Sequence, residues 1–195
     1  MTMRLAYVRC GLRILSAAEA CHVWAQGCSR GCPQCCNTEF QDPDGGFAAD
    51  PHALAQRIAS RTALRLLVLS GGEPFDQAPA FAALAGDVRA LRPDVAVVAY
   101  TGYTHEELAG RPDARALLAC VDVLVDGPYD AASPASDGVR GSTGQRVIQL
   151  ASRISAGALG RAESLRFEIV EDEGVLRFIG VPPRDWEVTL TSLGV

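Results

Sequence analysis

The hydrophobic positions of this chain are concentrated in short runs. The three clearest runs are LRLLVL at 64–69, VAVVAY at 95–100 and VDVLVD at 121–126. Short apolar runs, two of them rich in valine, are typical of strands buried on both faces of a parallel sheet. A further strand is expected over 22–25.

Helical segments are predicted between these runs. Asp50 followed by Pro51 has the pattern of an N-cap and a first-turn proline, so a helix is expected to begin there. A second, alanine-rich helix is predicted over 78–91. Thr104 and Glu107 have the spacing of a capping box. Strands that alternate with helices indicate parallel crossovers of one hand, and therefore the α/β class.

The end of the chain has a different pattern. The apolar runs 165–170 and 175–179 flank Glu171-Asp172-Glu173-Gly174, which predicts an antiparallel hairpin with glycine in its turn. Residues 127–145 are rich in Gly, Ser, Asp and Pro without a period, and a long loop is expected there. No domain boundary or internal repeat is visible, so we expect one domain over 1–195, with the hairpin as an extension at about 164–182.

Composition and charge narrow the classes of function. The chain has 195 residues, of which 48% are hydrophobic and 21% charged, as in an ordinary globular domain. All 18 basic residues are arginine, and the net charge is -5. This balance argues against a nucleic-acid partner and against an anionic membrane surface. A Schiff-base lysine is excluded because the chain has no lysine.

The expected compartment is the cytoplasm. No long uncharged apolar stretch occurs, and the first ten residues lack the pattern of a signal peptide. Cytoplasmic thiols are kept reduced, so the seven cysteines are expected to be ligands or catalysts rather than disulfides. Three of them, Cys10, Cys21 and Cys120, lie in apolar or strand-like surroundings and are expected to be small buried hydrophobic residues.

The other four cysteines lie in residues 27–37, which we call the cluster loop. The spacing of Cys28, Cys32 and Cys35 allows three thiolates to hold three corners of a 4Fe-4S cluster and to leave the fourth iron open to another ligand. Cys36 directly follows Cys35, so its side chain is expected to point elsewhere. A structural zinc site using all four cysteines is an alternative, although zinc ribbons usually supply two separated cysteine pairs. Reduced structural thiols are a third interpretation.

The spacing of Cys28, Cys32 and Cys35 resembles the signature of the radical S-adenosylmethionine enzymes. A second motif, Ser70-Gly71-Gly72-Glu73-Pro74, follows the predicted strand 64–69 and supports the resemblance. Four further segments are similar to those of the anaerobic ribonucleoside-triphosphate reductase activating proteins. They are VWAQGC at 23–28, YTGYT at 100–104, DVLVDGP at 122–128 and RGSTGQR at 140–146.

The resemblance covers about residues 4–181 and implies a fold and two cofactors. The fold would be a partial, open (β/α)6 barrel of the radical S-adenosylmethionine type, with the site at the carboxyl ends of its strands, where parallel α/β sheets generally place sites. The cofactors would be one 4Fe-4S cluster and S-adenosylmethionine, bound to the open iron.

Site residues are also implied by the resemblance. The methionine end of the cofactor would be held by Ser70, Gly71, Gly72 and Glu73. Gly71 and Gly72 suit a close backbone approach because they have no Cβ. The ribose would lie near Thr101 and Gly102.

Four more polar positions are candidates in the same region. Asp126 would organise polar groups of the cofactor or a cation, or else would cap the turn at 127–128. Arg140, with Gln145 and Arg146, would contact the methionine carboxylate or a partner's backbone, or else would be a solvated loop charge. No catalytic residue beyond the cluster is predicted.

The activity implied by the resemblance is reductive cleavage of S-adenosylmethionine to methionine and a 5'-deoxyadenosyl radical. The radical would remove a Cα hydrogen from a glycine of a glycyl radical enzyme, and a flavodoxin or ferredoxin would supply the electron. Two alternatives are a radical enzyme that modifies a small molecule or peptide and a zinc-stabilised interaction module. Cys36 and Gly144 depart from the usual pattern of the activating proteins, which leaves the hydrogen donor open.

Other polar and aromatic residues receive no chemical role from the sequence. His22, His52 and His105 are expected to be bystanders, and Trp24 is expected to pack beneath the cluster loop. Tyr100 and Tyr103 are expected to be wall residues, and no role can be argued for Trp186.

Overall fold

The computed structural model describes residues 1–160, 167–172 and 174–180, which form a mixed sheet, a separate hairpin and four helices. The strands in chain order are β1 Met3–Leu12, β2 Glu19–Ala25, β3 Phe47–Ala49, β4 Leu64–Gly71, β5 Ala96–Tyr100, β6 Val123–Asp126, β7 Arg146–Gln149, β8 Phe167–Asp172 and β9 Val175–Gly180. The helices are α1 Pro51–Ala59, α2 Ala78–Leu91, α3 His105–Ala109 and α4 Arg115–Leu118. Short 3-10 turns occur at Thr38–Phe40, Pro74–Gln77 and Ala156–Ala158.

The main sheet has seven strands in the order β3-β1-β2-β4-β5-β6-β7. The four strands β2, β4, β5 and β6 run parallel, while β1, β3 and β7 pair antiparallel. The predicted parallel-rich α/β sheet is therefore confirmed. The pairing of the described residues leaves β3 and β7 as edges, and closure into a (β/α)6 barrel stays a prediction.

The predicted helices begin at the capping residues that the sequence indicates. The Asp50 side chain accepts a hydrogen bond from the Ala53 amide at 2.8 Å, and α1 begins at Pro51. Helix α2 has the predicted bounds 78–91. At α3, Thr104 and Glu107 form the expected reciprocal capping box. None of the helices in the described part of the chain is long and apolar enough to cross a membrane.

Both faces of the central strands are buried, as the apolar runs predict. Leu67 and Leu69 of β4 lie in a core shared with the buried residues of α1 and α2. Leu66 and Val68 point to the opposite face, where Trp24 also lies. This alternation explains why the run at 64–69 is almost entirely apolar.

Trp24 lies on the same face of the sheet as Leu66 and Val68, three residues before the cluster loop begins. Its ring lies 5.4 Å from the ring of Tyr7 and 5.3 Å from the imidazole of His22. Burial lowers the pKa of His22 to about 4, so the imidazole is neutral at pH 7. Among the described residues, its Nε2 atom has no hydrogen-bond partner.

The C-terminal hairpin is confirmed, with β8 and β9 antiparallel and Gly174 at φ +80° in the turn. It contacts the rest of the protein through the Tyr7 hydroxyl, which donates to Asp172 at 2.8 Å, and through the buried side chain of Ile179. The residues at 165 and 166 and Trp186, on which sequence expectations also fall, lie outside the described residues.

Two expectations about loops and cysteines have different outcomes. Residues 127–145 form no helix or strand beyond one isolated bridge between Pro134 and Ser142, as predicted for a long loop. The prediction that Cys10 and Cys21 are unpaired thiols is wrong, because they form a disulfide. The two residues are direct partners across the antiparallel strands β1 and β2. Strand β1 was absent from the sequence prediction, so this juxtaposition could not be inferred.

Candidate functional site

The candidate site lies at the carboxyl ends of the parallel strands, where the cluster loop follows β2. Two backbone hydrogen bonds fix the start of this loop: Gly27 N donates to Phe40 O at 2.8 Å, and Cys28 N donates to Gln41 O at 3.1 Å. Within the loop, Cys35 N donates to Cys32 O at 3.3 Å. The loop is therefore attached firmly at its base.

Cys28, Cys32 and Cys35 all have free thiols and are half-buried, while Cys36 is exposed. Three free thiols in one short loop are the donor set that a 4Fe-4S cluster requires. Among the described residues, no three acidic, histidine or cysteine side chains converge on one point as the ligands of a single metal ion do. The thiols of a cubic cluster each bind a different iron atom, which three cysteines of one loop can provide.

Beside the cluster loop, residues 70–77 comprise the last two residues of β4 and the turn that follows it, and we call them the glycine loop. Gly71 has φ +100°, and a Cβ on it would lie 2.6 Å from Ala25 N. A Cβ on Gly72 would lie 2.2 Å from Gly27 O and 2.8 Å from Phe40 O. Since these contacts are with backbone atoms, both positions require glycine.

Hydrogen bonds join the glycine loop to the base of the cluster loop. Gly72 N donates to Ala25 O, and Glu73 N donates to Gly27 O, both at 2.8 Å. Ser70 pairs in register with Trp24 and is half-buried. The two motifs that the sequence singled out are therefore neighbours, and the missing Cβ atoms of the glycines allow the two loops to pack backbone against backbone.

Glu73 is buried, and its carboxylate joins the ends of β4 and β5. Oε1 accepts from Thr101 Oγ1 at 2.9 Å and from Phe75 N at 3.0 Å, and Oε2 accepts from Gly102 N at 2.8 Å. Burial raises the pKa of Glu73 to about 7, although these three donors act in the opposite direction. The polar atoms of Glu73 and Thr101 are thus bonded to each other.

Asp126 at the end of β6 is buried and forms an ion pair. Its carboxylate accepts from Arg146 Nε at 2.9 Å and from the His105 amide at 2.6 Å. Arg146 also contacts Glu106 at 2.7 Å. Asp126 therefore connects the start of α3 to β7.

Arg140 lies in the loop 127–145 and stabilises the shape of that loop. Its Nε donates to Asp137 Oδ2 at 2.5 Å, and its Nη1 donates to the carbonyl oxygens of Thr143 and Gln145. The Gln145 side chain accepts from the amides of Gly141 and Ser142. Both side chains are engaged within the loop.

One group of polar residues at the site was not found from the sequence. Ser29, Asp76 and Tyr103 come from three different loops and bond to one another next to Cys28. Each residue alone is an ordinary polar loop position. The only available signal was that each follows a strand of the same parallel set.

The matching family model is described as a 4Fe-4S single cluster domain, and it matches residues 11–148. The chain belongs to this family. With its cysteine and glycine motifs, it is a radical S-adenosylmethionine protein of the activase-like kind, and its cofactors are a 4Fe-4S cluster and S-adenosylmethionine. Sequence similarity to a particular activating protein supports this assignment.

That relative is the anaerobic ribonucleoside-triphosphate reductase-activating protein of Pasteurella multocida (strain Pm70). The two sequences are 31% identical over 117 residues, which cover 56% of this chain and 73% of the relative. Among solved structures, QueE from Escherichia coli is similar, with 20% identity and a TM-score of 0.44. That alignment covers 54% of this chain and 55% of QueE.

Proposed function

We propose that this chain activates a glycyl radical enzyme of the anaerobic ribonucleotide reductase type. The observation that carries the proposal is the 31% identity to an activating protein, over a segment that covers 73% of that protein. A radical enzyme is supported at the coarser level by the family match and by the neighbouring cysteine and glycine loops.

The cluster ligands in this proposal are Cys28, Cys32 and Cys35, which are free and share one loop. When bound, the reduced cluster supplies the electron that cleaves S-adenosylmethionine to methionine and a 5'-deoxyadenosyl radical. The chain itself provides orientation and excludes water.

The remaining site residues would act as binding and supporting groups. Gly71 and Gly72 would present backbone atoms to the amino group of S-adenosylmethionine, next to Ser70. Glu73 and Thr101 would hold the glycine loop in place through the bond between them. Gly102 would lie near the ribose.

Asp126 and Arg140 would shape the wall of the site from β6 and the loop 127–145. Both are bonded within the protein, so they would fix the positions of neighbouring backbone groups. Each side chain has its own ion pair, Asp126 with Arg146 and Arg140 with Asp137. That ion pair would have to open before the side chain could contact the cofactor directly.

The substrate would be a glycine Cα–H of the partner enzyme, and a flavodoxin or ferredoxin would provide the electron. We also propose that residues 1–195 form one domain with a partial barrel, acting in the cytoplasm. The four parallel strands and the separate hairpin support this architecture.

The test is to mix the anaerobically reconstituted protein with reductant, S-adenosylmethionine and a candidate glycyl radical enzyme, and to record the electron paramagnetic resonance spectrum. A glycine-centred doublet is expected, together with 5'-deoxyadenosine. Cys32→Ala should give neither product. Cys120→Ala, which changes a cysteine outside the cluster loop, should give both.

Other outcomes identify the alternatives. Formation of 5'-deoxyadenosine without a doublet in the cognate partner would favour an enzyme that modifies a small molecule or peptide. A colourless protein that binds one zinc ion and no iron would favour an interaction module and would overturn the proposal.

A further inference from the structure

A carboxylate from the glycine loop bonds directly to the residue that follows Cys28. Ser29 N donates to Asp76 Oδ2 at 2.7 Å, and Ser29 Oγ lies 3.0 Å from Asp76 Oδ1. Tyr103 Oη donates to the same Oδ1 atom at 2.8 Å and lies 2.9 Å from Ser29 Oγ. We call these three residues the Asp76 network.

Two arginines hold the Tyr103 ring of this network. The guanidinium carbons of Arg30 and Arg111 lie 4.5 and 4.8 Å from the ring centroid, within the range of cation–π contacts. Arg111 also donates to Phe75 O at 3.0 Å, in the glycine loop. Residues 29 and 30 of the cluster loop are thus fixed to two neighbouring loops.

The Asp76 network places a negative charge next to one corner of the cluster site. The Asp76 carboxylate bonds to the backbone amide of Ser29, the residue that directly follows Cys28. A negative charge this close to the Cys28 corner opposes an added electron on the iron that Cys28 would bind. The Tyr103 hydroxyl offsets part of the charge by donating to Asp76.

We propose that Asp76 is a positioning residue that holds the Cys28 end of the cluster loop and lowers the reduction potential of the bound cluster. This inference rests on the proposed function, since it takes Cys28 as an iron ligand. It differs from that proposal because it concerns how readily the cluster accepts an electron, before S-adenosylmethionine or a partner is present.

The experiment is a redox titration of the reconstituted protein, followed by electron paramagnetic resonance without S-adenosylmethionine. Asp76→Asn keeps the size of the side chain and removes its charge. At a fixed potential, it should raise the ratio of reduced to oxidised cluster roughly threefold, as expected for one partly solvent-screened charge. Tyr103→Phe removes a donor from the carboxylate and should lower the ratio, roughly by half.

The matched control is Asp94→Asn. Asp94 precedes β5 at the opposite end of the strand and pairs with Arg92 at 2.8 Å, so its loss changes the net charge equally but far from the cluster loop. This variant should leave the ratio unchanged. Equal potentials in Asp76→Asn and Asp94→Asn would overturn the inference.

Two further outcomes are interpretable. If Asp76→Asn fails to assemble a cluster, Tyr103→Phe decides, because it keeps the charge; an unchanged potential with full iron content would refute the role of Asp76. A wild-type chain that takes up no cluster would instead refute the proposed function. The two failures are therefore distinguishable.

Discussion

The cluster loop and the glycine loop are neighbours at one end of the sheet, but they are held in different ways. In the cluster loop, Cys36 is exposed and a Cβ on Gly31 would meet no atom within 4 Å. In the glycine loop, Gly72 has no room for a Cβ and Glu73 is buried with three donors. The glycine loop is thus closely packed by the chain's own backbone, whereas the cluster loop is more open around Gly31 and Cys36.

The largest effect is expected from Cys32→Ala, which should abolish cluster assembly because one of the three proposed iron ligands is lost. Iron and sulfide content and visible absorbance measure this. The stability of the metal-free chain should change by no more than about 0.5 kcal/mol, since the Cys32 side chain is only half-buried. Cys36→Ala is the control and should keep the cluster; a brown Cys32→Ala protein would contradict the ligand set.

Gly72→Ala should have the opposite profile and destabilise the metal-free chain by about 2–4 kcal/mol, because its Cβ would overlap Gly27 O and Phe40 O. Urea unfolding monitored by circular dichroism measures the loss. Gly86→Ala is the matched control: it lies within α2 with no atom within 4 Å of its Cβ. That change should stabilise by about 0.5–1 kcal/mol. Equal stabilities of the two variants would contradict the close backbone packing at Gly72.

The charge of Glu73 should give the protein a pH-dependent stability. Its pKa is raised to about 7 in the folded state, so the folded chain binds the proton more tightly than the unfolded chain. The free energy of unfolding should fall as pH rises from about 4.5 to 7, by an amount on the order of 3 kcal/mol.

In Glu73→Gln, the free energy of unfolding should lose this dependence on pH, whatever the absolute stability of the variant. Urea unfolding at pH 5 and pH 8 measures the difference. Asp94→Asn is the control, because the pKa of Asp94 is lowered to about 2 by Arg92 and does not titrate in this range. The same slope in wild type and Glu73→Gln would show that Glu73 is not the titrating group.

The smallest effect is expected from Gly31→Ala in the cluster loop. Gly31 has φ +55°, so alanine costs about 1 kcal/mol in the left-handed region, but its Cβ would meet no atom within 4 Å. Urea unfolding of the metal-free chain measures this. A loss as large as that of Gly72→Ala would mean that the cluster loop is as rigid as the glycine loop.

The sequence predicted those parts of the fold that depend on local signals. Helix α2, the capping box of α3 and the β8–β9 hairpin were all predictable, because periodicity, caps and turn glycines lie within a few residues of one another. The edge strands β3 and β7 were not predicted. They have only three and four residues and are stabilised by pairing with distant strands rather than by their own pattern.

The candidate site was predictable to a similar extent. The cysteine spacing and the Gly71-Gly72 pair identified the two loops, because the residues of each motif lie close together in the sequence. The internal bonds of Glu73 with Thr101, and of Asp76 with Tyr103, could not be predicted. They depend on the order of strands in the sheet, which brings together residues far apart in sequence.

The disulfide between Cys10 and Cys21 has a practical consequence for preparing the protein. Thiol reductants used when iron and sulfide are loaded also cleave accessible disulfides by exchange. Material handled in air and material made ready for catalysis would then differ in two respects: in the cysteines proposed to hold iron and in the covalent bond between β1 and β2. Counting titratable thiols before iron and sulfide are added separates these two changes, since the disulfide removes two of the chain's seven thiols from the count.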